Sequence, residues 1–247
     1  MDVSKLPKEV DWRATGKNIT TPVKQQGYCG SCWAVASTAV LESHIAIQTG
    51  KLYTLSPQEL VSCVKNPLHC GGAGGCDGAI YELAFEYAME HGMVTESEFP
   101  YTSGNGGNNG YCSLENHTAT TTTAAAQLLR GAASSATIVT GDHDNNDEFI
   151  DGAVATIQGY INLPTNNYTL LMNAVATLGP IGVTVAASGW AFYSGGVYEC
   201  PNHNTKKTTD VNHAVVLEGY GMDQETQEPF WLVRNSWGEK WGEGKLV

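Results

Sequence analysis

The chemistry of this 247-residue chain concentrates at Cys32. It lies in Gln25-Gln26-Gly27-Tyr28-Cys29-Gly30-Ser31-Cys32-Trp33, a glycine-punctuated turn. The turn runs into an apolar segment, Trp33 to Ile47, whose Ala, Val, Leu and Ile recur at helical spacing. Ser31 is the expected N-cap, which puts Cys32 in the first helical turn. Unpaired N–H groups and the positive end of the helix dipole favour a thiolate there, so Cys32 is expected to be acidified. A thiolate is a nucleophile, and its chemistry calls for a base, a group that orients the base, and donors for an oxyanion.

Seven histidines compete for the role of base. His44 and His91 fall in helical patterns, and His69, His117, His143 and His203 in polar loops. His213 alone opens an apolar strand, Asn212-His213-Ala214-Val215-Val216-Leu217-Glu218-Gly219-Tyr220-Gly221. A solitary strand histidine is more often structural than catalytic. Taken alone, Asn235-Ser236-Trp237-Gly238, which follows Trp231-Leu232-Val233-Arg234, reads as a Trp-Gly turn.

Taken together in this order, the three stretches resemble the active-site motifs of papain-like cysteine proteases, the family of the lysosomal cathepsins. Cys29-Gly30-Ser31-Cys32-Trp33 fits the family's Cys-Gly-Ser/Ala-Cys-Trp/Tyr signature at every position, with His and Asn downstream. The resemblance implies that His213 pairs with Cys32 as thiolate–imidazolium and then protonates the leaving amine. Asn235 would hold the imidazole in one tautomer without adding charge, and Trp237 would shield that bond from water. The Gln26 amide would join the Cys32 backbone N–H as an oxyanion hole. Gly78-Ala79 would hydrogen-bond an extended peptide as an added strand; Ala79 stands where the family usually has Gly and puts a methyl group at this contact. Tyr81, Thr184, Val211 and Ala214 fall where the pocket for the second residue before the scissile bond is built. That mixture suits a bulky apolar or aromatic side chain. The resemblance also implies disulfides Cys29–Cys76 and Cys63–Cys112.

The elements that must position these residues change character along the chain. Gly50 is a natural end for the first helix. Ser56, Pro57 and Glu59 read as N-cap, first helical residue and capping box of a second. Cys63 to Gly78 is a loop rich in Gly and Cys, and Ile80 to His91 resumes helical spacing before Gly92. A short helix, Leu170 to Thr177, is closed by Gly179-Pro180. Ile181–Ala187, Gly196–Tyr198, Ala214–Gly219 and Phe230–Arg234 read as strands. Helices first and strands second make an α+β chain. The resemblance makes it a two-lobed papain-like fold. Its helical lobe covers 12–117 and its β-rich, antiparallel barrel-like lobe covers 118–247. Residues 1–11 cross onto the second lobe, and the site lies in the cleft between the two. Ser103 to Gly110 reads as a flexible loop. Thr118–Ala136, low in complexity, and the polar Asp142–Asp151 read as a surface insertion. The run Asp142, Asp144, Asn145, Asn146, Asp147 and Glu148 lacks the ligand spacing of a calcium-binding EF-hand. No metal or cofactor is expected.

A formal net charge of −12 argues against nucleic acid or anionic membranes as partners. No apolar run approaches the roughly 20 residues that span a bilayer. The expected partners are protein or peptide substrates and, by resemblance, a propeptide and cystatin-like inhibitors, with the enzyme a monomer. Seven cysteines leave six beside Cys32, which suggests an oxidising compartment and a disulfide framework. Sequons at Asn18, Asn116 and Asn167 fit a glycoprotein. The expected location is lysosomal, vacuolar or secreted. Leu6 to Arg13 resembles the family's mature N-terminus, so signal and propeptide are expected to be absent from this chain. Trp241 to Val247 begins a run that relatives continue through a Gly-Tyr strand and a further cysteine. The pocket floor and the usual partner of Cys200 are therefore expected beyond Val247, in a longer natural protein. An endopeptidase is the reading preferred over an exopeptidase of the same fold, since no His-pair loop stands between Tyr101 and His117. A catalytically silent homologue is disfavoured by the intact Gln26, Cys32, His213 and Asn235. A transglutaminase-type acyltransferase would not need Asn-Ser-Trp-Gly. Cys70 and Cys200 are expected to be unbridged to each other. Thiol titration of the denatured, unreduced protein should then count more than one free thiol, and a count of one would refute the reading.

Overall fold

The computed structural model describes residues 3–114, 150–199 and 211–243. The Asn116 sequon, most of the 118–151 insertion with its acidic run, Cys200, His203 and the last four residues lie outside them. Helix α1 (Cys32–Thr49) is buried without a break from Trp33 to Ser43. A helix apolar around its circumference belongs in the middle of a structure, and α1 is the axis of the first core. It ends at Gly50, whose φ of 73° lets its N–H return to the Ala46 carbonyl. Helices α2 (Pro57–Cys63) and α3 (Tyr81–His91) pack against it. These helices match the sequence reading closely.

The expected capping box is only half formed. Ser56 Oγ accepts the Glu59 N–H at 3.0 Å. The Glu59 carboxylate turns the other way, to the Val94 N–H at 2.9 Å and the Tyr87 hydroxyl at 3.4 Å. The Ser56 N–H goes to the Val94 carbonyl instead. A buried backbone N–H needs an acceptor, and Val94 takes the carboxylate that would have closed the box. Glu42 is a second buried acid. It accepts from Thr21, from Lys24 Nζ at 2.9 Å and from the Leu55 N–H at 2.8 Å, so it is matched by a cation.

Cys29–Cys76 and Cys63–Cys112 are both bonded, across sequence separations of 47 and 49. Loops of that length are worth about 4 kcal/mol each by the loss of unfolded-chain entropy. Cys70 carries no bond among the described residues.

The second core lies under an antiparallel sheet. Strand β3 (His213–Met222) pairs with β2 (Ile181–Val185), with β4 (Pro229–Arg234) and with the short N-terminal β1 (Val10–Asp11). A Cβ at Gly219 would run into the Val10 carbonyl, so this glycine admits β1 to the sheet. Alternate β3 residues face opposite cores: Ala214 and Val216 join the α1 core, Val215 and Leu217 the other. Burial on both faces explains the unbroken apolar run in the sequence. Helix α4 (Tyr168–Thr177) is capped by Asn167, whose side chain accepts the Leu170 N–H at 3.0 Å.

Two sequence expectations need correcting. Gly196–Tyr198 forms no strand; Tyr198 instead sets its ring edge-on to Trp190 at 6.2 Å. Residues 150–157 return to the helical side, although the reading placed 118–247 in the β-rich lobe. Met93 bridges to Ala155, and the Ile150 N–H reaches the His91 carbonyl at 3.0 Å.

Glu59 generates a prediction. It is fully buried, with no cation against it among the described residues, and burial pushes its carboxyl from 4.5 up to about 8. The folded chain thus keeps a proton that the unfolded chain releases above pH 4.5. Stability attributable to this group is full below that value and falls by on the order of a few kcal/mol as pH rises toward 8. Glu59→Gln should flatten the decline of Tm between pH 5 and 8, measured by calorimetry. An unchanged slope would remove Glu59 as its cause.

Candidate active site

Cys32 is the first residue of α1 and His213 the first of β3, and the packing of those two elements brings them together. The backbone N–H groups of Ala214, Trp33 and Cys32 itself favour the thiolate of Cys32. One of the three donors is therefore the residue next to His213.

The His213 ring is buried, with Nε2 at 2.7 Å from Asn235 Oδ1. The same oxygen accepts the Ser236 backbone N–H at 2.7 Å. A backbone N–H only donates, which identifies that Asn235 atom as the oxygen and makes His213 Nε2 the donor to it. The neutral imidazole therefore carries its proton on Nε2 and leaves Nδ1 free to accept one. Trp237 lies 5.0 Å from the His213 ring at 31°, and Trp190 meets it edge-on at 6.3 Å. These rings form an apolar cover over the imidazole.

Gln26 is fixed by a similar argument. Its Nε2 donates to the Cys29 carbonyl at 2.9 Å, and its Oε1 accepts from the Ser236 hydroxyl at 2.6 Å. That leaves the second Nε2 proton for an oxyanion. The Gln26 N–H bonds the Ser236 carbonyl at 2.8 Å, and Gln25 bridges to Trp237. The donor turn is thus stitched to the Asn-Ser-Trp segment of the other lobe. The sequence reading quoted Ser236 within its motif but gave it no task; only the coordinates reveal its bonds to Gln26.

The expected recognition residues are partly assembled. Gly78 has φ 88°, and a Cβ there would meet the Gly71 carbonyl at 2.8 Å, so the position requires glycine. The Gly78 carbonyl already accepts the Gly74 N–H at 2.8 Å, which leaves one lone pair for a peptide. Ala79 is half-buried against the α1 core. Tyr81 places its hydroxyl 2.8 Å from the Val215 carbonyl and 3.0 Å from that of Val183. Thr184 and Ala214 face each other across the β2–β3 pair, Thr184 exposed and Ala214 buried. Val211 is 58% exposed, at the edge of the described chain.

The electrostatics correct one expectation. Burial pushes the Cys32 thiol up, and the three N–H bonds only partly offset it. Burial likewise pushes the His213 imidazole down, against the bond to Asn235. The helix N-terminus alone does not acidify Cys32. A buried site disfavours each charge singly, so the two are favoured only as a pair.

A helix-borne thiol and a strand-borne, amide-held imidazole, carried on two elements that pack together, are the parts of a thiol-protease class of site. The Papain family cysteine protease profile matches residues 6–246, and the chain belongs to that family. It is 37% identical to "Procathepsin L" of Mus musculus over 243 residues, covering 96% of this chain and 58% of that protein. It is 37% identical to "Cysteine endopeptidase RepA" of Oryza sativa subsp. japonica over 98% of this chain and 51% of that one. A solved structure of digestive procathepsin L 3 from the Tenebrio molitor larval midgut superposes with a TM-score of 0.72 at 31% identity. That match covers 99% of this chain and 65% of the other. The chain thus spans 58% and 51% of the length of the two curated relatives named.

The pairing of charges has a direct consequence. In His213→Ala the imidazolium is gone and burial alone governs the thiol. Alkylation of Cys32 by iodoacetamide should then rise only above the ordinary thiol value of about 8.5, whereas the native protein should react well below it. Superimposable profiles would refute the ion pair.

Proposed function

We propose that the chain is a cysteine endopeptidase. The observation that carries this reading is the Asn235–His213 bond, which leaves Nδ1 of the imidazole free to take the Cys32 proton. The thiolate attacks the peptide carbonyl carbon, and the oxyanion that forms takes the Cys32 N–H and the free Gln26 N–H. The imidazolium gives its proton to the departing amine, leaving an acyl-enzyme thioester. Water attacks the thioester with His213 as base, releasing the acid and restoring the thiol. Gly78 and Ala79 hold the substrate backbone, while Tyr81, Thr184, Val211 and Ala214 form the pocket for a bulky apolar side chain.

An endopeptidase is favoured because residues 101–112 contain no histidine to capture a terminal carboxylate. The rice relative is named an endopeptidase, which agrees. The two disulfides support a lysosomal, vacuolar or secreted location, with Asn18 and Asn167 as glycan acceptors. The two procathepsin relatives support a propeptide as partner, and cystatin-like inhibitors belong to the same reading, with the enzyme acting as a monomer.

Graded losses of peptide-cleavage turnover test the roles. Cys32→Ala should abolish cleavage, and His213→Ala should nearly do so. Gln26→Ala should lose on the order of 10²-fold in kcat, the cost of one oxyanion donor. Asn235→Ala should retain measurable turnover, because it orients and does not react. A correctly folded Asn235→Ala as inert as Cys32→Ala would overturn its assigned role.

A further inference from the structure

One hydroxyl ties together the two ends of the catalytic turn. Tyr101 donates to the Gln26 carbonyl at 2.8 Å, and its oxygen lies 2.6 Å from Ser31 Oγ. A phenol has one proton and a carbonyl can only accept. The Tyr101 proton therefore goes to Gln26, and Ser31 must donate its own to Tyr101. Ser31 stands at the N-cap of α1, where a serine oxygen ordinarily accepts the second or third helical N–H. It makes no such bond, and its ψ of 16° is far from the extended value of a capping residue. The Ala34 and Val35 N–H groups go to the Ser31 carbonyl at 2.9 and 3.0 Å. Those of Cys32 and Trp33 remain uncapped at the start of the helix, where both favour the thiolate of Cys32.

We propose that Tyr101 is a positioning residue for the cysteine nucleophile: by engaging the Ser31 hydroxyl it keeps the first N–H groups of α1 free of a side-chain cap and available to the catalytic cysteine. The same phenol holds the Gln26 carbonyl and so steadies the oxyanion donor from the other end of the turn. This rests on Cys32 being the nucleophile. The groups that titrate around Cys32 are His213 on β3, Tyr81 on α3 and Tyr101 itself. Burial pushes both phenols up, and the Cys32 charge adds to it, so each keeps the proton it donates. Among these three, that leaves His213 to titrate with Cys32 in the working range.

The test compares pH profiles of iodoacetamide alkylation for the native protein, Tyr101→Phe, Ser31→Ala and the double variant. In Tyr101→Phe the released Ser31 hydroxyl turns onto the Trp33 N–H, and the profile should move up by roughly 0.5 to 1 pH unit, the loss of one donor to a thiolate. Ser31→Ala has no hydroxyl to compete and should stay near the native profile. The double variant should return toward it, a rescue that a merely structural role for Tyr101 would not produce. An unmoved Tyr101→Phe profile, a double variant as shifted as the single, or a Ser31→Ala profile displaced upward each overturns the proposal. Failure of the nucleophile assignment reads differently: alkylating the native protein would then leave its peptide cleavage intact.

Discussion

The packing of helix α1 against strand β3 is the constraint on which the site depends, since one element begins with Cys32 and the other with His213, the proposed nucleophile and base. The contact is apolar at its centre: Trp33, Ala36 and Val40 share a core with Ala214 and Val216. Because side chains alternate along a strand, Ala214 faces the helix while Val215 faces the second core. The register is therefore not negotiable. A slip of one residue would turn the apolar side chains to the wrong cores and carry His213 with them. Apolar burial supplies most of the attraction between the lobes but is indifferent to direction.

Direction comes from a seam of hydrogen bonds across the same boundary. The Tyr81 hydroxyl meets two carbonyls of the sheet, and the Gly238 N–H meets the Lys24 carbonyl at 3.1 Å. His44 Nε2 lies 2.8 Å from the Pro180 carbonyl; a carbonyl only accepts, so that nitrogen bears the proton. Arg234, ion-paired at 2.8 Å with the buried Glu218 of its own sheet, donates across the boundary to the Thr21 carbonyl. Each is modest in net worth, but a buried polar group stripped of its partner costs about 1–3 kcal/mol. The seam thus penalises misalignment more than it rewards alignment. That asymmetry is what a site built from two lobes requires.

Much of this was legible in the sequence because its causes are local. The helical spacing after Trp33, the glycine at 50 and the Ser56-Pro57 start act within a few residues, and each gave the right element. The apolar run after His213 marked a strand buried on both faces. What misled the reading was settled at long range. Glu59 looked like half of a capping box until Val94, from a distant segment, claimed its carboxylate. Gly196–Tyr198 has strand-like residues, yet the aromatic cluster around Trp190 takes the Tyr198 side chain. The tasks of Ser236 and Tyr101 were hidden for the same reason, since their partners lie 210 and 70 to 75 residues away. The helix N-terminus fails to acidify Cys32 by itself, because helix position is written in the sequence and depth of burial is not.

That failure shows why the group behind the imidazole is an amide. Burial disfavours a lone thiolate and a lone imidazolium alike, so the reactive state is stable only while the two charges cancel. A carboxylate at position 235 would bring a third charge against the imidazolium and compete with the sulfur for it. It would stabilise a protonated His213 beside a neutral thiol, the one arrangement in which neither nucleophile nor base is ready. The Asn235 oxygen orients the ring through the Nε2 proton and brings no net charge. Its orientation is fixed by the Ser236 N–H, and the Ser236 hydroxyl fixes Gln26. One residue thus sets the tautomer of the base on one side and the direction of the oxyanion donor on the other. In the proposed mechanism the pairing of Cys32 with His213 is then the one charge separation that these side chains have to sustain.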